Sequence, residues 1–300
     1  MCREKDFLSW YERWLDEMLN GYNTGSFGYG PGGKTEDFFS IIETSTDSEE
    51  INEAFHAFNR LPELDDKDIS KLLTYINSDK DYIREGISSV IKQCNLPCRD
   101  EQIETWLNDE SANVRRNAIR LAEQRNLVKF RSKIYNMILT DTSKDVVERA
   151  YLTLNSSEKN TGTDLSLTHD ECLQLLQSEH ESIRYWVSNT SVWTKDDSAL
   201  LISLLNDRNP MVRANAVRNL DKLMIKESVP HILVFLEEER TKPDADREYN
   251  DCHSIDSAMK LLSNMSDESC VPELLLWAVH TTDDFYRLNA VNTIIKLGDI

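Results

Sequence analysis

Glycine and proline are scarce in this sequence, with 9 and 7 residues in 300. Because these residues punctuate loops and turns, their scarcity predicts a nearly all-helical chain with short connections. No apolar run approaches the eighteen or so residues that span a bilayer, so we expect no membrane contact. Met1 is followed by charged residues rather than an apolar segment, which predicts no secretory signal. The six cysteines are scattered, as is typical of reduced thiols, and the expected location is cytoplasmic.

Basic residues are also in short supply. The chain has 34 Lys and Arg residues against 53 Asp and Glu residues, which gives a formal net charge of −19. Nucleic-acid backbones require clustered basic side chains, so this balance argues against a nucleic-acid partner. It favours either attraction to a basic protein or a solvated acidic surface with no partner at all.

Catalytic and metal-binding motifs are missing as well. The sequence contains no H-E-x-x-H, C-x-x-C, G-x-S-x-G or EF-hand pattern. The glycine-rich stretch 21–33 follows no strand and has no Walker spacing, although Gly33-Lys34-Thr35 is a partial likeness. Cys94 and Cys98 lack a histidine pair at zinc-finger spacing, and the groups 169–172 and 252–253 are short local clusters. We therefore predict no enzyme, no cofactor and no metal.

What the sequence does contain is a repeated helical pair. In the stretch 204–223 an apolar helix end meets a polar turn, and a second helix opens at Pro210 with apolar residues at helical spacing. The Val-Arg-x-x-Ala pattern of Val212, Arg213 and Ala216 then recurs. Its copies contain Ile83 and Arg84, Val114 and Arg115, Ile183 and Arg184, Tyr286 and Arg287, with an arginine-free copy at Val146 and Val147.

The copies follow one another at intervals of about thirty residues, longer around 155–169 and 237–253. Two helices per unit at such a period predict an α-solenoid. We expect an all-α, right-handed α-α superhelix of about eight helical pairs over residues 34–300, with residues 1–33 forming a capping helix and a glycine-rich tail. A first, degenerate pair is expected at 35–61, and the others at 65–94, 99–126, 127–155, 169–194, 196–224, 228–265 and 269–298.

Over residues 65–300 these motifs resemble the HEAT repeats, in which V-R-x-x-A follows an acidic turn. The resemblance implies that aspartate and arginine side chains bond between neighbouring repeats. Asp109 and Asp207 each stand six residues before an arginine, whereas Arg84, Arg184 and Arg287 have serine or threonine there, which weakens the prediction at those three. The candidate ladder comprises Asp109, Arg115, Asp207, Arg213 and Arg287.

Residues 6–33 carry a second resemblance. The segment Phe7-Leu8-Ser9-Trp10-Tyr11-Glu12-Arg13-Trp14-Leu15-Asp16-Glu17 and the following Phe27-Gly28-Tyr29-Gly30 are similar to the final helix and tail of the SUKH superfamily. Many SUKH proteins are bacterial immunity proteins that bind a toxin. The α/β body of that fold has no counterpart in this sequence. The resemblance therefore implies a gene found in the same genomic surroundings as SUKH genes, and not a SUKH domain.

Candidate binding residues come from two places. In one repeat the asparagine found at positions 117, 215 and 289 is replaced by Trp186, beside Tyr185 and near Trp193. These aromatic residues fit either the core or an exposed anchor, whereas the three asparagines are expected to bond their neighbours. The charged insertion 237–248 is predicted to be an exposed loop that either contacts a partner or has no function. Its candidate contact residues are Glu237, Glu238, Asp244 and Asp246.

The function predicted from these features is a non-enzymatic, protein-binding scaffold that holds its partner on a concave face. In its sharper form, the protein is a bacterial immunity protein that neutralises a basic toxin. The alternative is a HEAT-like enzyme, either a glycosylase of alkylated DNA bases or a bilin lyase. A glycosylase requires a basic groove, so the charge of that face distinguishes the alternatives.

Overall fold

The computed structural model describes residues 34–61, 63–155, 166–242, 251–265 and 267–298. Within these ranges the chain forms sixteen α-helices, short 3₁₀ turns and no β-strand. The described helices form eight pairs, as the sequence predicts. None of the described helices is both long enough and apolar enough to cross a membrane. The capping helix and glycine-rich tail predicted over residues 1–33, with the SUKH-like residues 6–33 among them, lie outside the described residues.

The helices group into two compact units, one up to Gln124 and one from Arg125. The first unit holds three pairs: α1 (Thr35–Thr44) with α2 (Ser48–Phe58), α3 (Asp66–Leu72) with α4 (Asp81–Gln93), and α5 (Asp100–Trp106) with α6 (Ala112–Arg125). The second unit holds five pairs: α7 (Leu127–Thr140) with α8 (Lys144–Asn155), α9 (His169–Leu175) with α10 (Glu181–Ser188), α11 (Ser198–Ser203) with α12 (Pro210–Lys222), α13 (Val229–Thr241) with α14 (Asp251–Met265), and α15 (Val271–His280) with α16 (Asp284–Gly298).

Local sequence explains where many helices begin. Asp47 and Asp65 accept a main-chain hydrogen bond at the starts of α2 and α3. Thr168 forms a full capping box with Glu171 at the start of α9. Asn209 caps α12, and Pro210 occupies its first turn, where no N–H is needed. These caps fix the turns and therefore set the spacing of the pairs.

Second helices of adjacent pairs also pack against one another within a unit, as α12 does against α14 and α14 against α16. The first unit has an especially close contact of this kind. A Cβ atom on Gly86 of α4 would overlap the ring of Phe55 on α2, which is itself buried. Glycine thus lets these two helices approach closely.

The prediction of an exposed loop over 237–248 is wrong for residues 237–241, which form the last turns of α13. Helix α13 buries Ile232, Phe235 and Leu236 and then Glu239, which continues the same helical face. The Glu239 carboxylate lies 2.5 Å from the Lys242 amine and 3.7 Å from the Arg213 guanidinium. The Glu239 carboxylate thus occupies a core position because it is paired with basic groups. A search for apolar residues at helical spacing does not detect such a position.

Candidate functional site

The ion pairs between adjacent helical pairs are formed by Arg84 and Arg184, two of the arginines at which the prediction from the sequence was weaker. In the first unit, Arg84 donates two hydrogen bonds to the Asp109 carboxylate, at 2.7 and 2.9 Å. In the second, Arg184 donates two to Asp207, at 2.8 and 3.0 Å. Each arginine reaches forward to the aspartate of the next turn. Ser78 and Ser178, six residues before these arginines, accept a hydrogen bond only through their main-chain carbonyls. The serine side chains therefore do not determine which residue each arginine binds.

Three further arginines, Arg115, Arg213 and Arg287, bind the main chain of the turn before their own helix, as Arg84 and Arg184 also do. Their guanidinium groups donate to the main-chain carbonyls of Asp109, Asp207 and Thr281, each at 2.8 Å. The side chains of Asp109 and Asp207 do bond between neighbouring repeats, as the HEAT resemblance implies, but their partners are Arg84 and Arg184 rather than Arg115 and Arg213. Those carboxylates are held by the preceding repeat instead.

The ladder carboxylates are ionised more readily than free aspartate. Burial by itself would raise the pKa of Asp207, but the Arg184 guanidinium and the N–H of Asn209 lower it below its usual range. Asp109 has a lowered pKa for the same reasons, with Arg84 and Ser111 as the donors. Both aspartates are therefore ionised near neutral pH, and each forms an ion pair with its arginine.

A second set of contacts joins neighbouring second helices. Asn117 donates to the buried Ser88 hydroxyl at 2.9 Å, and Asn215 makes the same 2.9 Å bond to Ser188. Asn289 donates to Asp256 at 3.0 Å. These asparagines bond neighbouring helices, in agreement with the sequence analysis.

One junction departs from this pattern. Between α8 and α10, Tyr151 and Trp186 occupy the positions that hold serine and asparagine at the two matching junctions. Their rings stack with centroids 5.3 Å apart and planes 24° apart. Tyr151 is buried, whereas Trp186 is only half-buried. An aromatic stack thus replaces a hydrogen bond at this junction.

Beside the stack is a cavity of about 450 Å³. Its wall includes Tyr151, Leu152, Asn155, Trp186 and Asn189, and no Asp, Glu, Lys, Arg or His is among the described residues lining it. Cys172 also lines it, and burial, followed by the nearby Glu171, raises the pKa of this thiol to about 11. The thiol therefore stays protonated and is a poor nucleophile. The cavity suits the binding of an uncharged group better than catalysis.

The other aromatic candidates have different surroundings. Tyr185 is half-buried, and its main-chain carbonyl accepts a bond from Asn215. Trp193 is buried, and its indole N–H donates to the carbonyl of Ser188 at 3.2 Å. The interpretation of Trp193 as an exposed anchor is therefore corrected, because its ring and its N–H are both used inside the second unit.

Of the acidic candidates, Glu237 and Glu238 do not line this cavity. Glu237 and Glu238 are exposed on α13, a first helix, whereas Trp186 lies on α10, a second helix. Asp244 and Asp246 lie outside the described residues.

Charge is divided unequally between the two kinds of helix. The eight described second helices contain 15 Lys and Arg residues and 13 Asp and Glu residues. The eight described first helices contain 6 and 14. The acidic surplus of the helices thus belongs to the first helices, and the second helices are nearly balanced.

Two further ion pairs had no signal in the sequence. Arg131 on α7 bonds both oxygens of Glu171 on α9, at 2.8 and 2.6 Å. Arg240 on α13 bonds Glu273 on α15 at 2.8 Å. Both connect first helices of adjacent pairs across more than thirty residues, so no local motif marks them.

With this geometry in place, comparison with known proteins is informative about the fold. Residues 199–226 match the HEAT repeat. This segment contains Arg213 and Asp207 of the ladder. No curated protein matches the chain.

Several solved structures are similar to this chain. YibA of Escherichia coli is similar over 96% of this chain and 97% of its own, with 17% identity and a TM-score of 0.52. An engineered protein covers 89% of this chain, with 79% of its own length matched, 15% identity and a TM-score of 0.43. Human deoxyhypusine hydroxylase in complex with glycerol covers 89%, with 97% of its length matched, 13% identity and a TM-score of 0.35. The YibA match shows the fold alone, an α-α solenoid of HEAT-like pairs.

Proposed function

We propose that the protein is a non-enzymatic scaffold that binds another protein at the Trp186 cavity. The observation that supports this is the half-buried tryptophan beside an uncharged cavity, at a junction whose counterparts in two other repeats hold serine and asparagine. A tryptophan on a rigid helix is a typical hot-spot residue, because it offers a large contact area at little entropic cost.

The shape and lining of the cavity narrow what it accepts. A volume of about 450 Å³ has room for one or two side chains of a partner. Leu152 and Trp186 supply apolar walls, and the amides of Asn155 and Asn189 supply hydrogen-bonding groups at the rim. The matching group on the partner is an aromatic or aliphatic side chain next to an exposed main-chain segment.

The finer proposal is that the partner is a basic bacterial toxin and that this protein provides immunity to it in the cytoplasm. Two features support it: the net charge of −19, which attracts a basic protein, and the SUKH-like residues 6–33. Because the first helices hold the acidic surplus, they would attract the partner before the Trp186 cavity engages it. The nearly balanced second helices do not supply the basic groove of a DNA glycosylase, and no observation favours the lyase alternative.

The test is capture of the partner by the 300-residue chain, with quantitative mass spectrometry of wild type and variants. Trp186→Ala should weaken capture at least tenfold. Trp186→Phe should retain most of it, because a ring still stacks on Tyr151. Tyr82→Ala, at a half-buried aromatic residue of the first unit, is the matched control and should bind as wild type does. Equal capture by Trp186→Ala and wild type contradicts the proposed site.

The immunity proposal has its own experiment. A toxin gene adjacent to the gene for this protein is expressed in cells with wild type, with Trp186→Ala or with no protector. Survival with wild type and loss of survival with Trp186→Ala are expected. Equal killing in the presence and absence of the wild-type protein overturns the immunity proposal, while the capture experiment still decides whether the cavity binds a protein.

A further inference from the structure

Exposed apolar side chains are concentrated on the α15–α16 pair. Of the twelve large apolar side chains exposed among the described residues, seven belong to these two helices. On α16 they follow one stripe, Leu288, Val291 and Ile295, and on α15 Leu275 and Val279 stand one turn apart. Such a concentration is characteristic of an interaction surface rather than of scattered surface leucines.

The same positions are buried in an earlier pair. Leu275, Val279 and Val291 stand at the same offsets from Arg287 as Leu201, Leu205 and Val217 do from Arg213. The three residues of the α11–α12 pair are 0–3% exposed, whereas those of the α15–α16 pair are 39–71% exposed. In the α11–α12 pair, packing by the next pair covers this face. The α15–α16 pair therefore presents the coupling face of a repeat, which we call the open coupling face.

We propose that the open coupling face binds the same face of a second copy of the chain. The spacing of its side chains is that of a surface made to receive another helical pair. Among the described residues, an open face of that kind is found on α15 and α16, since the first unit contributes none of the twelve exposed apolar side chains. A two-fold axis would let each copy cover the face of the other.

Charge supports a second copy over a charged partner. Helices α15 and α16 together contain two basic residues, Arg287 and Lys296, and two acidic residues, Glu273 and Asp284. Glu273 is already bonded to Arg240, and Arg287 to Asp284. The face thus carries no excess charge to attract a basic or an acidic protein, and two copies meet there without local repulsion despite the net charge of the chain.

The area is adequate for a reversible dimer. Half-exposed side chains of leucine size each offer on the order of 80 Å². The five that follow the face, Leu275, Val279, Leu288, Val291 and Ile295, place roughly 400 Å² of apolar surface per copy in the contact. A polar rim brings this to about 600–700 Å² per partner, at the lower end of a standard interface.

The experiment is sedimentation equilibrium of the 300-residue chain from about 1 to 100 μM, a range that brackets a modest interface. Wild type should shift from the monomer mass of 34.7 kDa towards twice that value as concentration rises. Val279→Glu combined with Leu288→Glu should weaken self-association at least tenfold. Val128→Glu combined with Val234→Glu, at exposed apolar positions of α7 and α13, is the matched control and should dimerise as wild type does.

Circular dichroism checks that each variant is folded, and Leu288→Lys alone provides a milder variant of the same face. Since Val279 and Leu288 are more than half exposed, these changes should leave the helical signal intact. A wild type that stays monomeric over the whole range overturns the proposal. So does a dimer that both charged variants of the face leave unaffected, because another surface must then form it.

Discussion

Arg184 binds the carboxylate of Asp207 with both Nε and Nη2, although the two residues belong to different helical pairs. The same guanidinium also donates to the carbonyls of Ser178 and Glu179 in its own turn. The Arg184 side chain thus connects the turn that precedes α10 with the turn that precedes α12. Because both partners are largely buried, this contact contributes more than a surface ion pair.

Removing this contact should destabilise the second unit. Arg184→Ala leaves the Asp207 carboxylate buried without its guanidinium, and we expect the free energy of unfolding to fall by about 3–5 kcal/mol. Arg184→Lys keeps the charge but not the fork, so a loss of about 1–3 kcal/mol is expected. Urea denaturation followed by circular dichroism measures both. Arg287→Lys is the control and should cost less than about 1 kcal/mol, because its carboxylate partner Asp284 is exposed. Equal effects at 184 and 287 would contradict this account.

The ladder also predicts how stability depends on pH. Since the folded-state pKa values of Asp109 and Asp207 are lowered, their contribution is present above the unfolded-state pKa of about 4 and is lost as pH falls through the folded-state values. Asp207→Asn should therefore reduce stability most at pH 6 and progressively less towards pH 2. Urea midpoints of the variant and wild type should converge on acidification. A difference that stays constant with pH would show that the Asp207 charge is not involved.

Gly86 and Gly298 provide a pair of matched substitutions. Alanine normally favours a helix over glycine by about 1 kcal/mol. At position 86 the new methyl group would overlap the buried Phe55 ring, so Gly86→Ala should lower the free energy of unfolding by about 1–3 kcal/mol. At Gly298 nothing lies within 4 Å of an added Cβ atom, and Gly298→Ala should be neutral or slightly stabilising. Thermal unfolding separates the two, and a stabilising Gly86→Ala would show that the helices can move apart freely.

The two tryptophans should differ in their effect on stability. Trp193→Ala removes a buried ring and its bond to Ser188, so the free energy of unfolding should fall by about 3–5 kcal/mol. Trp186→Ala removes a half-buried ring, and about 1 kcal/mol is expected from loss of the stack on Tyr151. Chemical denaturation of both variants checks this order. If Trp186→Ala is the more damaging of the two, position 186 is a core position rather than a binding one.

The sequence predicts the pairs well because their signals are local. The arginine near the start of the second helix, the capping residues and the apolar spacing all lie within one repeat, as in the stretch from Asp207 to Arg213. Eight helical pairs follow directly from that spacing. The matching asparagines are also predictable, because three copies of one polar residue on a buried face must bond to a neighbour.

What could not be predicted depends on contacts across repeats. The end of α13 was missed because the buried face continues through Glu239, whose charge hides it from a search for apolar spacing. The bond from Arg84 to Asp109 was considered doubtful because a serine stands six residues before Arg84, whereas the aspartate that Arg84 binds belongs to the next repeat and is brought to it only by the stacking of adjacent pairs. The stack of Tyr151 on Trp186 joins residues thirty-five positions apart in the sequence, and only the packing of α8 against α10 brings them together.

Because the acidic surplus lies on the first helices, the effect of salt on binding rates distinguishes attraction of a partner from its retention at the cavity. At an ionic strength of about 0.15 M the screening length is about 8 Å, so added salt shields the exposed carboxylates of the first helices. It leaves burial of an apolar group in the uncharged Trp186 cavity almost unchanged. A partner attracted by the first helices and then held at the cavity would therefore arrive more slowly in high salt yet depart at nearly the same rate.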